Sequence, residues 1–291
     1  MRQYHVAHLR KEVYIMKIGI IGLGLMGGSF GRTLVKEGEH TVYGRDISEQ
    51  VMTKAQLLRA MNEPLTKENI GEVDLLITAV TPNKVRGILE EVVPQLKKGA
   101  VVNDFCGIKR GVVDIMKEFS TKYPDITFIG GHPMAGREFS GIDHSTTTLF
   151  NNASMILVNV NADIFQLESI KKFYLSVGFK TVEICSSDEH DEIIAFTSQL
   201  CHVVSNAFIK NTNAEKHYGF SAGSYKDMTR VARLDADMWG NLMTENADKL
   251  LPELDQLIDH LTEYRNALST RNKEELTKLL ADGNRRKLEI D

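Results

Sequence analysis

Gly22-Leu-Gly-Leu-Met-Gly27 places three glycines at a spacing that can cradle a pyrophosphate. In a G-x-G-x-x-G loop the first glycine permits a tight turn, the second lets backbone N–H groups approach the phosphates, and the third lets a helix pack against a strand. The anion then lies on the helix N-terminus, where N–H groups lack helical partners and the dipole end is positive. Glycines at this spacing would also serve any tight strand-to-helix turn. Asp46 strengthens the dinucleotide reading, since a carboxylate about twenty residues beyond the loop holds the ribose hydroxyls. It would repel a 2′-phosphate, so NAD is expected over NADP. Neighbouring Arg45 could accept that phosphate, but adjacent strand residues point to opposite faces. The candidate cofactor contacts are Gly22, Leu23, Gly24, Leu25, Met26, Gly27, Asp46 and Val80. A second candidate for chemistry is His132, in Gly130-Gly-His-Pro-Met-Ala-Gly136, after an apolar segment whose end would lie beside the nicotinamide. An imidazole there can act as a general acid or base, or be a satisfied structural group; position alone leaves both open.

The elements that must position these residues alternate. Residues 17–21 read as a buried strand, followed by a helix from about Met26 that ends near Gly38, and a strand over 40–46. A helix over 48–61 leads to an apolar strand over 73–80, stopped by Pro82. Further helices over 83–96 and to about Tyr123 frame strands over 99–104 and 126–131, and apolar segments at 153–160 and 180–185 extend the sheet. This is a Rossmann-type, doubly wound α/β sheet, which takes ligands at the carboxyl ends of its strands. From Ser186 onward only helices are expected. Ser186-Ser-Asp-Glu189 fits a capping box, opening a long helix through about Lys210. The acid-rich run Asp188-Glu-His-Asp-Glu192 reads as a solvated helix start that complements the dipole rather than as a metal site. Leu250, Leu254, Leu257, Ile258, Leu261, Tyr264 and Leu268 recur at helical spacing, with Pro252 either starting or kinking that helix. The faces are too apolar for one small helical domain, which points to an all-α dimerisation domain and a homodimer.

At 291 residues the chain exceeds the usual single-domain size. The expected division is an N-terminal extension over 1–15, a dinucleotide-binding domain over 16–187 and a helical domain over 188–291. Charged residues at 25% and hydrophobic residues at 42% are ordinary globular composition, and a net charge of -4 gives no reason to expect a nucleic-acid partner. No apolar run reaches membrane-spanning length and the N-terminus lacks an apolar signal core, so a cytoplasmic protein is expected. Cys106, Cys185 and Cys201 are too scattered for a disulfide framework or a zinc site, and each is expected to be a small buried side chain.

With the glycine loop and the Gly-Gly-His-Pro-Met-Ala-Gly motif stand two later motifs, Tyr225-Lys-Asp-Met-Thr-Arg230 and Asp237-Met-Trp239, and the ending Arg285-Arg-Lys-Leu-Glu-Ile-Asp291. In this order the chain, from about Met16 to Asp291, resembles the prephenate and arogenate dehydrogenases of tyrosine biosynthesis. The resemblance implies NAD-dependent oxidative decarboxylation of a cyclohexadiene to a phenol. Prephenate would give 4-hydroxyphenylpyruvate, and arogenate would give tyrosine. By position His132 matches the catalytic histidine that takes the ring hydroxyl's proton as hydride departs. Arg230 matches the arginine that holds the substrate carboxylate, a task suited to a planar fork. His202 matches a substrate-pocket histidine. Gly223, Asp227 and Trp239 match positions around the substrate side chain, and Glu138 matches a gating acid.

Three departures bear on substrate and rate. The family's hydroxyl-binding serine is replaced by Gly107, in Asp104-Phe-Cys-Gly-Ile-Lys109, with water, Cys106 or Ser140 as substitutes. A Ser-His-x-Pro-His helix pattern becomes Ser198-Gln-Leu-Cys-His202. Arg137 stands where a small residue is common; it could meet a substrate carboxylate or pair with Glu138. The chain ends soon after its helical part, so no appended regulatory module is expected. Competing readings are another two-domain dehydrogenase acting on a β-hydroxyacid or imine, which would need a lysine in the helical part, and a non-catalytic nucleotide sensor.

Overall fold

The computed structural model describes residues 15–137 and 139–290. The expected extension before Ile15 lies outside the described residues, as does Glu138. The described chain forms two compact units, one ending at His190 and the other beginning at Asp191.

The first unit is an eight-stranded sheet in the order β3-β2-β1-β4-β5-β6-β7-β8. Its strands are β1 Lys17–Ile21, β2 Thr41–Arg45, β3 Glu63–Pro64, β4 Leu75–Thr78, β5 Val101–Asp104, β6 Thr127–Pro133, β7 Ser154–Asn159 and β8 Thr181–Ile184. The flanking helices are α1 Leu25–Glu37, α2 Glu49–Leu57, α3 Pro82–Val92, α4 Arg110–Lys122 and α5 Ile164–Ser176. Strands buried on both faces need continuous apolar runs rather than alternation, and in β4 every residue is buried. The chain order reverses at β1, which pairs with both β2 and β4 in parallel, Ile18 lying opposite Val42 on one side and Leu75 on the other. That reversal opens a crevice at the carboxyl ends of β1 and β4, where open sheets of this kind take their ligands.

The sequence reading needs local corrections. The strand expected over 73–80 is confined to Leu75–Thr78, and Pro82 opens α3 at its first turn rather than stopping the strand, since a missing N–H costs nothing there. The helix expected to reach residue 61 ends at Leu57, just before Arg59 takes a positive φ. The sheet is not parallel throughout: β7 runs antiparallel to β6, His132 lying opposite Ile156, and β8 is parallel to β7. Among its described residues the connection over 134–153 contains only a short 3-10 turn, Ile142–His144, and no crossover helix that would carry the chain back to a parallel start. An aromatic cluster fills one side of the sheet, with Phe30 at 5.1 Å from Phe105, 5.8 Å from Phe150 and 6.0 Å from Tyr174.

The long helix foreseen from Ser186 comprises α6 Ser187–Ile194, a π-turn Ala195–Leu200 and α7 Cys201–Ile209, with Ser186 Oγ accepting the Glu189 N–H at 3.1 Å. The helical unit continues through α8 Gly223–Thr229, α9 Ala236–Glu245, α10 Ala247–Ser269 and α11 Lys273–Ile290. Pro252 lies inside α10, which has already begun: the N–H groups of Lys249 and Leu250 both donate to the Asn246 carbonyl. Buried Asn246 ties the start of α10 to α6 and the π-turn that follows it, its amide donating to the Asp191 carbonyl at 2.9 Å and to Gln199 Oε1 at 2.8 Å. The buried apolar residues that pack into one cluster in this unit are Ala195, Leu200 and Leu250. On α10, Ile258, Leu261 and Leu268 remain at least half exposed, so these three of the seven residues of the apolar stripe legible in the sequence are bare in one chain. No described helix is long and apolar enough to cross a membrane.

Candidate active site

The glycine loop follows β1 and meets the end of β4, and two of its three glycines have a steric reason. Gly22 has φ +91, and a Cβ there would lie 2.4 Å from the Ala79 carbonyl oxygen and 2.8 Å from Val80 Cγ1. A Cβ on Gly27 would lie 1.9 Å from the Gly22 carbonyl oxygen, so the third glycine brings α1 against the turn. A Cβ on Gly24 would meet nothing within 4 Å. The second glycine therefore answers to no packing demand of the protein, and the space where its Cβ would stand is open. Gly24 is also the N-cap of α1, whose first turn has no side-chain cap and no acidic residue, which suits an anion.

Asp46 is anchored toward the loop. One carboxylate oxygen accepts the Leu23 N–H at 2.8 Å and the other the Ser48 N–H at 3.0 Å, so the carboxylate is held beside the phosphate cradle. Arg45 points elsewhere: its guanidinium makes a two-pronged pair with Glu91 at 2.8 and 3.1 Å. These features fit a dinucleotide with free ribose hydroxyls.

His132 lies inside β6 rather than after it. The preceding glycines are packed, not flexible: a Cβ on Gly131 would lie 2.6 Å from the Asp104 carbonyl oxygen and 2.7 Å from both Asn103 Nδ2 and Met155 Cε. Beneath them runs a buried ion pair between Lys109 and Asp104, both fully buried. Lys109 Nζ donates to the Gly131 carbonyl at 2.7 Å and Asp104 accepts the Gly131 N–H at 3.0 Å. The residue before His132 is thus clamped at both backbone groups by one charge pair. Its ring is held as well, with His132 Nδ1 2.9 Å from Nε2 of His190.

His190, Lys109 and Asp104 were not legible as site residues. The solvated-start reading holds for exposed Asp188, Glu189 and Glu192, but His190 and Asp191 are buried. The signal was helical spacing: His190 and Asp191 precede the buried residues Ile194 and Ala195 by one turn and share their inward face.

In the helical unit the structure brings His202, Arg230 with Val231, and Trp239 together. The His202 and Trp239 rings lie 3.8 Å apart between centroids. His202 Nδ1 donates to the Val231 carbonyl at 3.0 Å. Burial holds this imidazole's pKa below its ordinary value, the Arg230 cation pushes the same way, and the Val231 carbonyl opposes them. The ring is therefore neutral at pH 7, with its lone pair on Nε2. Gly223 opens α8 and Asp227 lies along it, both exposed, as is Arg230. Glu138 lies outside the described residues. Arg137 donates to the His144 carbonyl at 3.3 Å. Of the serine substitutes, Cys106 is buried with its thiol directed to the Val80 carbonyl at 3.3 Å, and Ser140 is exposed. Burial of all three cysteines does not hold: Cys185 is half-buried and Cys201 exposed.

A glycine loop at a sheet reversal, a histidine held two strands along from β4 and an all-helical unit define a nucleotide-dependent oxidoreductase. The chain belongs to the prephenate dehydrogenase family: the family's nucleotide-binding domain matches residues 30–183 and its dimerization domain matches residues 186–282. The glycine loop precedes the first match, so its reading rests on the distances above. The cyclohexadienyl dehydrogenase of Zymomonas mobilis is 28% identical over 284 residues, 94% of this chain and 95% of that protein. The crystal structure of prephenate dehydrogenase from A. aeolicus with hydroxyphenyl propionate and NAD+ matches with a TM-score of 0.82 at 27% identity, covering 97% of this chain and 100% of that one. The arogenate dehydrogenase of Synechocystis matches with a TM-score of 0.77 at 26% identity, covering 95% and 100%.

Proposed function

We propose that this chain oxidatively decarboxylates prephenate to 4-hydroxyphenylpyruvate with NAD, a step of tyrosine biosynthesis. The observation that carries the reading is His132, held at backbone and ring on the strand end of a nucleotide-binding sheet. Bound at the glycine loop, NAD supplies the hydride acceptor. Asp46, anchored to Leu23, holds the ribose hydroxyls, and Arg45, paired with Glu91, leaves a 2′-phosphate without a partner there. As hydride leaves the carbinol carbon, His132 takes the hydroxyl proton. Carbon dioxide leaves the opposite ring carbon, and its bonding electrons complete the aromatic ring. Arg230 grips a substrate carboxylate with its fork, and His202, Gly223, Asp227 and Trp239 surround the side chain, with Glu138 gating entry. The helical unit pairs two copies into a homodimer, in line with its family's description and the bare residues of its apolar stripe.

Arogenate is the second reading, favoured by the near full-length likeness to an arogenate dehydrogenase and to a cyclohexadienyl dehydrogenase. The test is a pair of substitutions. His132→Asn should leave NAD affinity intact and cost about 10²–10⁴ in kcat, the worth of general-base help; an undiminished kcat would refute the assignment. Arg230→Lys should raise KM about tenfold or more through loss of a two-pronged charged hydrogen bond; a normal KM would remove Arg230 from the site.

A further inference from the structure

We propose that His190 is a positioning residue for His132: His190 Nε2 accepts the Nδ1–H of His132 and so fixes that ring in the tautomer whose Nε2 carries the lone pair. The inference rests on His132 acting as the base, and it adds a residue and a proton assignment to that reading.

Two imidazole nitrogens 2.9 Å apart must have a proton between them, because two facing lone pairs would repel. Two arrangements satisfy this. If His190 Nε2–H donates to His132 Nδ1, the neutral His132 carries its proton on Nε2 and has no lone pair with which to take another. If His132 Nδ1–H donates to His190 Nε2, the Nε2 of His132 is basic and faces away from its partner. Only the second arrangement serves proton abstraction. Burial helps to hold it. His190 is 1% exposed, so water does not compete for its Nε2. The Lys109–Asp104 clamp on Gly131 fixes the backbone from which His132 projects, so ring rotation is the freedom left to control, and His190 controls it. When His132 takes the substrate proton, the resulting imidazolium still donates through Nδ1 to His190, so the contact strengthens as charge develops.

The test reads the tautomer directly. Protein labelled with 15N-histidine, without cofactor or substrate, is examined by long-range proton–nitrogen correlation, with His132→Asn and His190→Gln assigning the two rings. The expected pattern for His132 is a protonated, pyrrole-type Nδ1 and a pyridine-type Nε2; the reverse would overturn the proposal. Kinetics give a second readout. Gln can place its Oε1 where His190 Nε2 lies, so His190→Gln should keep kcat within about threefold, whereas His190→Leu should lower kcat about 10²-fold with KM and NAD affinity unchanged, the low end of what a working base contributes. A His190→Leu enzyme with normal kcat, or a Gln enzyme as slow as the Leu one, would overturn it. If His190→Leu fails to fold, the spectrum and the Gln variant decide. If His132→Asn retains kcat, the base assignment fails while the spectrum still reports on the pair, so the two failures are distinguishable.

Discussion

Replacing Gly24 and Gly27 separately by alanine tests whether the loop is shaped by packing or by a ligand. The Cβ of Gly27→Ala would sit 1.9 Å from a backbone carbonyl oxygen, which no side-chain rotation can relieve. Such overpacking costs about 3 kcal/mol, the upper part of the usual range. At about 2–4 °C per kcal/mol for a domain of this size, the melting temperature should fall by about 6–12 °C. The Cβ of Gly24→Ala meets nothing within 4 Å, so its only folding cost is the poorer helix cap, at most about 1 kcal/mol. Its effect should fall on the cofactor instead, because the methyl occupies open space at the loop proposed to bind NAD. NAD affinity, measured by titration calorimetry, should weaken about tenfold or more, equivalent to about 1.4 kcal/mol. Wild-type NAD affinity in Gly24→Ala, or an unchanged melting temperature in Gly27→Ala, would refute the steric argument.

Lys109→Met should leave the Asp104 carboxylate buried without its cation, at a cost of about 3–5 kcal/mol in denaturant unfolding, and Asp104→Asn in the same chain should recover part of it; an unaltered unfolding midpoint would contradict the clamp. Stability should also fall with acid. His202 and His40 have pKa values held below the ordinary imidazole value by burial, and His40 Nδ1 accepts the Met16 N–H. The unfolded chain therefore binds their protons first, so the urea midpoint should be flat above about pH 6.5 and decline below it. Replacing both residues by Gln should flatten that decline, and an undiminished decline would assign it elsewhere. Sedimentation should show a dimer that Leu261→Glu weakens; wild-type monomer alone would sink the pairing of helical units.

Much of the nucleotide half was readable because its constraints are local. The turn role of Gly22 and the helix-packing role of Gly27 inferred from spacing reappear as close backbone contacts, and Asp46 falls just past β2 because a strand and a short helix have predictable lengths. What stayed hidden depends on contacts distant in sequence. Nothing in the sequence around Lys109 signals that the fold buries it against Asp104 and Gly131. His190 was masked by its acidic neighbours, whose attraction to a helix N-terminus is sound for the exposed residues and says nothing about the inward ones. The reversal at β7 was invisible because an apolar strand pattern carries no direction; only the lack of a crossover helix before it could have hinted at it. In the helical unit the apolar stripe was plain, whereas the meeting of His202 with Trp239 required helices whose packing no single-helix pattern encodes.

The central claim is tested most directly by mixing purified protein with NAD and prephenate and following reduced nicotinamide by absorbance, with L-arogenate and the His132→Asn variant alongside. The account predicts turnover of at least one of the two substrates and its near abolition in His132→Asn. Tight NAD binding with no turnover of either substrate, or full turnover by His132→Asn, would contradict it.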